Sequence, residues 1–76
     1  MDTLIQAIKT NSIKGCNVED VRSYDGFCMT DNKMSRIICL ELKIDGKWNP
    51  LKEPEFNDKK ACVATVKEIK KYWREN

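Results

Sequence analysis

Apolar and polar residues alternate most regularly between Arg36 and Ile44. Ile38, Leu40, Leu42 and Ile44 take one parity, and Ile37, Cys39, Glu41 and Lys43 take the other. A period of two is that of a half-buried strand. A looser version runs from Val18 to Met29, where Val21, Phe27 and Met29 share one parity and Tyr24 and Cys28 the other, with a break or bulge at Asp25-Gly26. Between the two runs, Asp31-Asn32-Lys33-Met34 reads as a polar turn. A hairpin closing on Asn32-Lys33 sets Phe27 opposite Ile38 and gathers both apolar sets on one face. Cys28 and Cys39 then lie diagonally on the opposite face with Tyr24 and Ile37, a face apolar enough to need its own cover.

Asp45-Gly46 marks a second hairpin. A two-residue loop pairs Lys43 with Trp48. A three-residue loop, Ile44 to Gly46, pairs Leu42 with Trp48 and carries the indole into the core. The second is expected, because it buries the largest side chain. Pro50 and Pro54 lack the N–H of a ladder and suit an edge strand. Residues 53–60 read as a polar connection, and Ala61 to Ala64 as a short fourth strand.

The ends of the chain carry a different period. Residues 2 to 10 read as a helix with Asp2 or Thr3 as cap, an apolar stripe of Leu4, Ile5 and Ile8, and an exit at Asn11 and Gly15. Thr65-Val66-Lys67-Glu68 has the spacing of a capping box and is expected to start the terminal helix. Val66, Ile69 and Trp73, with Tyr72 beside them, form the stripe that packs that helix onto the sheet. The expected fold is α+β: one domain, 1–76, with a small antiparallel three- to four-stranded sheet and a helix at each end, in the order α-β-β-β-(β)-α.

Size bounds the chemistry. A chain of 76 residues buries only about 60% of its unfolded surface and forms one core without a deep cleft. No apolar run approaches the roughly 20 residues of a membrane span, and the first residues have no basic leader, so a cytoplasmic location is expected. The four cysteines, Cys16, Cys28, Cys39 and Cys62, form no C-x-x-C pair, and there is no histidine. Reduced, structural thiols are therefore expected, with no metal and no cofactor. Without histidine the chain also lacks the commonest general base near neutral pH, which argues against hydrolase chemistry of the Cys-His or Ser-His kind.

Two charge patterns bear on function. Glu41-Leu42-Lys43 is an E-x-K with Asp25 upstream, the arrangement by which metal-dependent nucleases hold Mg²⁺ and steady developing charge. Such a short pattern arises easily where a third of the residues are charged, so the solvated side of an amphipathic strand is the preferred reading and no catalytic residue is assigned. Residues 1–58 carry eight basic and ten acidic side chains, whereas Lys59, Lys60, Lys67, Lys70, Lys71 and Arg74 stand against Glu68 alone up to residue 74. Lys67, Lys70, Lys71 and Arg74 share one helical face and can neutralise phosphates. Basic residues also favour a helix C-terminus through the macrodipole, and the net charge of +2 is not that of a dedicated nucleic-acid binder.

Several ordered features together resemble a known module. Tyr24-Asp25-Gly26-Phe27, the Asp31-Asn32 turn, Arg36 followed by Ile38-Cys39, Lys47-Trp48 with Leu51, a lysine-rich turn and the segment Ile69 to Tyr72 occur in that order. The run resembles the C-terminal accessory domain that follows the nuclease domain in type I restriction enzyme R-like proteins. Leu40 replaces the arginine after the I-C pair of that domain, and the segment Pro50 to Asp58 differs. The resemblance places Glu41 and Lys43 at non-catalytic strand positions and implies a module without the nuclease domain. The expected function is a non-catalytic protein-binding module acting on a nucleic-acid-processing or defence assembly, such as a phage-type inhibitor of a restriction or CRISPR nuclease. Tyr24, Ile37, Cys39 and Tyr72 are the expected partner-binding residues. The alternative is a small nucleic-acid-binding domain using the basic helix, and a weaker one is a metal-dependent nuclease remnant.

Overall fold

The computed structural model describes residues 2–76, with the side chain of Asp2 outside the described set. A short helix, α1 (Asp2–Lys9), and a single 3-10 turn at Ile13–Gly15 lead into three strands, β1 (Asp20–Thr30), β2 (Lys33–Ile44) and β3 (Lys47–Phe56), followed by helix α2 (Lys59–Glu75). The strands form one antiparallel sheet in the order β1-β2-β3. This is the α+β fold expected, with three strands. The expectation that Asp2 caps α1 falls on a side chain outside the described residues. Among the described residues no helix is long and apolar enough to cross a membrane.

Both hairpins close with two residues. Asp31 and Asn32 have φ of 51° and 61°, and Asp45 and Gly46 have 52° and 76°. Paired left-handed residues twist a loop in the sense that the flanking strands require, and Asp, Asn and Gly reach that region at least cost. The first turn sets Phe27 opposite Arg36 and Tyr24 opposite Cys39, two residues from the expected register, which leaves every side chain on its expected face. The second turn pairs Lys43 with Trp48 and Leu42 with Asn49. The three-residue loop is thus a misreading: turn geometry outweighs the gain from burying the indole, and Trp48 lies on the sheet face away from the core. There the Arg22 guanidinium stacks 3.9 Å from its ring centroid.

β3 runs through the segment expected to be a polar connection. It is an edge strand, as its prolines require, and its register shifts between Cys39 and Glu41, so that Leu51 to Pro54 bulge opposite Leu40. Pro54, after a cis peptide bond, is fully buried in this bulge.

No fourth strand forms at Ala61 to Ala64, which lies inside α2. The helix starts six residues before the expected capping box because Asp58 is the N-cap: its side chain accepts a hydrogen bond of 3.0 Å from the Lys60 N–H. Thr65 is interior and donates its hydroxyl to the Ala61 carbonyl. The early start adds Cys62 to the buried stripe of Val66 and Ile69, at helical spacing. Asp58→Ala is accordingly expected to lower stability by about 1 kcal/mol in urea unfolding, and Thr65→Ala by less than about 0.5 kcal/mol. The reverse order would move the start of α2 back to Thr65.

Ile8 of α1, Cys62, Val66 and Ile69 of α2, and Val18, Val21, Ile38, Leu40 and Leu42 from the sheet side form the core. α2 lies along the sheet antiparallel to β1. The Cys62 thiol donates to the Cys39 carbonyl at 3.6 Å, at the level of Tyr24, and Lys70 reaches Asp20 at 3.4 Å. Eight helical residues rise about 12 Å and four strand residues about 13 Å, so helix and strand keep step. Lys59 therefore sits level with Asp25 or Gly26. Beyond that level β1 and β2 continue to Thr30 and Lys33 without a helix above them. β3 has stopped as well, its last pair being Phe56 with Ile38.

Candidate functional site

This uncovered end of the first hairpin, residues 26–37, is an arm of two strands, and it draws the molecule out to 43 × 23 × 21 Å. Phe27, Met29 and Met34 occupy the face that continues the core, at 68%, 68% and 65% exposure. The residues that sequence parity assigns to the core thus lie in solvent. Asp25 and Arg36, bonded at 2.7 Å, stand between this apolar patch and the covered part of the sheet. The signal for the patch was present in the strand lengths. Eleven residues of β1 extend about 36 Å and the 17 of α2 only about 25 Å, and the last turn of α2 passes beyond Asp20, so the helix leaves nearly half of the strand, from about Gly26 to Thr30, bare.

The face away from the helices carries two of the expected partner-binding residues at the base of the arm, Tyr24 just below it and Ile37 within it. Tyr24 and Ile37 meet over Gly26, where an added Cβ would lie 3.3 Å from Tyr24 Cε2 and 3.7 Å from Ile37 Cγ1. The Tyr24 hydroxyl donates to the Leu51 carbonyl at 3.2 Å, across β2, which fixes the ring. Burial, followed by the neighbouring Cys39 thiol, raises the Tyr24 pKa, so the hydroxyl stays protonated as a donor. Cys28 lies on the same face, half-buried rather than enclosed.

Of the other two expected residues, one lies beneath this pair and one is remote from it. Cys39 is fully buried, and burial raises its thiol pKa; it supports Tyr24 from below and cannot touch a partner. Its strand parity was legible, but the cover over it was not. Tyr72 lies at the far end of the molecule, beside a polar cleft of about 340 Å³ lined by Lys9, Thr10, Asn11, Trp73 and Asn76. The expected set is therefore one pair, a supporting thiol and a distant tyrosine.

The nuclease-like constellation does not assemble. Glu41 and Lys43 share the face away from the helices, where Glu41 is ion-paired with Arg22. Asp25 pairs with Ile38 and belongs to the core-side parity, so its carboxylate and that of Glu41 lie on opposite faces of the sheet. No metal ion can bridge them. Several other carboxylates are engaged internally: Glu19 accepts from the Gly46 N–H at 3.0 Å, Asp20 meets Lys70, and Asp58 caps α2.

The basic helix is partly neutralised. Lys59, Lys60, Lys67, Lys70, Lys71 and Arg74 are all exposed, but Lys70 spans to Asp20, and Glu68 binds Lys9 of α1. Lys59, Lys60 and Lys67 surround a shallow hollow floored by Val63 and Ala64. An apolar floor suits a side chain better than a phosphate.

The chain matches no known family model, no curated protein and no solved structure.

Proposed function

We propose that this chain is a non-catalytic protein-binding module whose hairpin arm is the docking element, with Tyr24 and Ile37 as anchors. The observation that carries this reading is the arm itself. Two strands extend beyond the helix that covers the rest of the sheet; Phe27, Met29 and Met34 stand exposed on one face, and half-buried Tyr24 and Ile37 lie outside the core on the other. A large exposed apolar surface on a small protein marks an interaction site. A tyrosine held by a hydrogen bond and a neighbouring isoleucine lose little side-chain entropy on binding, which favours them as anchors. The likeness to a restriction-type accessory domain directs the search for the partner to nucleases and nucleoprotein complexes of nucleic-acid processing or defence, where a free-standing copy of such a module would compete for a docking surface.

Direct nucleic-acid binding through α2 is the second reading, favoured by its six exposed cations, five of them apart from the Lys70–Asp20 pair. Salt separates the two. Phosphate neutralisation makes affinity fall steeply with salt, and each lost contact flattens the slope by about one unit. The test is capture by the tagged protein from host lysate with and without nuclease treatment, at low and physiological salt. Tyr24→Ala with Ile37→Ser is expected to reduce recovery of a captured protein at least about tenfold, and Lys67→Glu with Lys71→Glu by less than about threefold. Lys70 is left in place because its reversal would set two carboxylates together at Asp20. Recovery that disappears on nuclease treatment and in the charge-reversal variant would replace this reading with the nucleic-acid one.

A further inference from the structure

We infer that the apolar face of the arm, Phe27, Met29 and Met34, is covered by a second copy of this chain. The two arms stack antiparallel about a two-fold axis, and the tip of each meets the start of α2 in the other. This inference is independent of the anchors Tyr24 and Ile37, which lie on the opposite face and stay open in such a dimer.

Three features of the fold lead to this arrangement. The first is position along the arm. α2 begins level with Asp25 or Gly26, and the tip is Asp31-Asn32. The midpoint between them falls near Cys28, between the row of Phe27 with Arg36 and the row of Met29 with Met34. A two-fold axis through the centre of the exposed patch thus brings each tip to the beginning of the partner copy's helix. The second is depth. Stacked sheets are separated by about 10 Å, close to the spacing at which a helix packs on a sheet. The second arm therefore lies in the layer of α2 and extends it, filling the place where the helix stops.

The third feature is charge. The tip presents the exposed carboxylate of Asp31, and the start of α2 presents exposed Lys59 and Lys60 with the positive end of the helix dipole. Asp58 is already engaged as the cap. Near the axis, the row of Phe27 with Arg36 faces the row of Met29 with Met34 of the other copy, so apolar side chains and the stem of Arg36 cover the patch.

Three large side chains about two-thirds exposed present roughly 400 Å² per copy. With the tips and helix starts, the total lies at the low end of specific interfaces, so a dissociation constant on the order of 10–100 µM is expected.

Sedimentation velocity of the full chain, from about 5 to about 500 µM, tests the arrangement. The wild type is expected to pass from monomer to dimer across that range. Phe27→Ser with Met29→Ser should remain monomeric throughout with unchanged circular dichroism, because both positions are exposed. Asp31→Asn, which suits the left-handed turn, and Lys59→Ala with Lys60→Ala should each weaken the dimer several-fold. Combined, they should weaken it by less than the product of the two effects, since both remove the same contact. A wild type that is monomeric at 500 µM, leaving the face to a different partner, would overturn the inference. So would a dimer indifferent to Phe27→Ser with Met29→Ser, or charge effects that multiply independently.

Discussion

Leu40→Ala is expected to lower the unfolding free energy by about 3–4 kcal/mol, and Trp48→Ala by only about 1–1.5 kcal/mol, although the indole is the larger group. Leu40 is fully buried at the centre of β2, enclosed by the helix layer and the β3 bulge. Its truncation loses transfer energy and leaves a cavity that a sheet tied on both sides cannot close. Trp48 is half-buried on the outer face, where truncation removes the stack with Arg22 and one side of a contact with the sheet. A domain of this length has a total stability of roughly 4–11 kcal/mol, so Leu40→Ala removes a large part of it. Urea unfolding of the two variants beside the wild type measures both. A loss above about 3 kcal/mol for Trp48→Ala would show that the indole is in the core, paired with Leu42. A loss under about 1 kcal/mol for Leu40→Ala would mean that the helix layer does not close over β2.

Alkaline pH provides the second large effect. Burial pushes the Cys62 thiol up to about 11, with the Cys39 thiol adding to the shift, against an ordinary value of 9.0. Between those values the folded chain keeps a proton that the unfolded chain has released. The contribution is fully present below about pH 9 and is lost as pH rises through 11. Over that window the unfolding free energy should fall by roughly 2–3 kcal/mol on account of this thiol. Cys39 and Tyr24, both raised chiefly by burial, act in the same direction. In Cys62→Ala the fall between pH 9 and 11 should be visibly shallower, whatever the variant costs at neutral pH. Equal slopes in the two proteins, from urea unfolding at each pH, would show that the thiol does not carry this dependence.

The amino-acid sequence determined the order helix, three strands, helix and the faces of the sheet, but not the segment from Glu53 to Ala64, where a connection and a fourth strand were expected and the end of β3 and the start of α2 stand. In β2 one parity from Ile38 to Ile44 is wholly apolar, and a register error of two in the first hairpin moves no side chain to the other face, so Tyr24 and Ile37 were correctly placed on one face. Tertiary structure decided three matters that local patterns leave open. The turn at Asp45-Gly46 had two allowed lengths, and strand twist selected the one that sends Trp48 outward. The start of α2, expected at Thr65, lies instead at Asp58, where packing of Cys62 against β2 favours the longer helix. Burial beyond Gly26 depended on where a helix ends over a longer strand. Parity says which way Phe27, Met29 and Met34 face, but only the layer above them decides whether that direction is core or solvent, because burial belongs to a pair of surfaces and a single strand encodes just one of them.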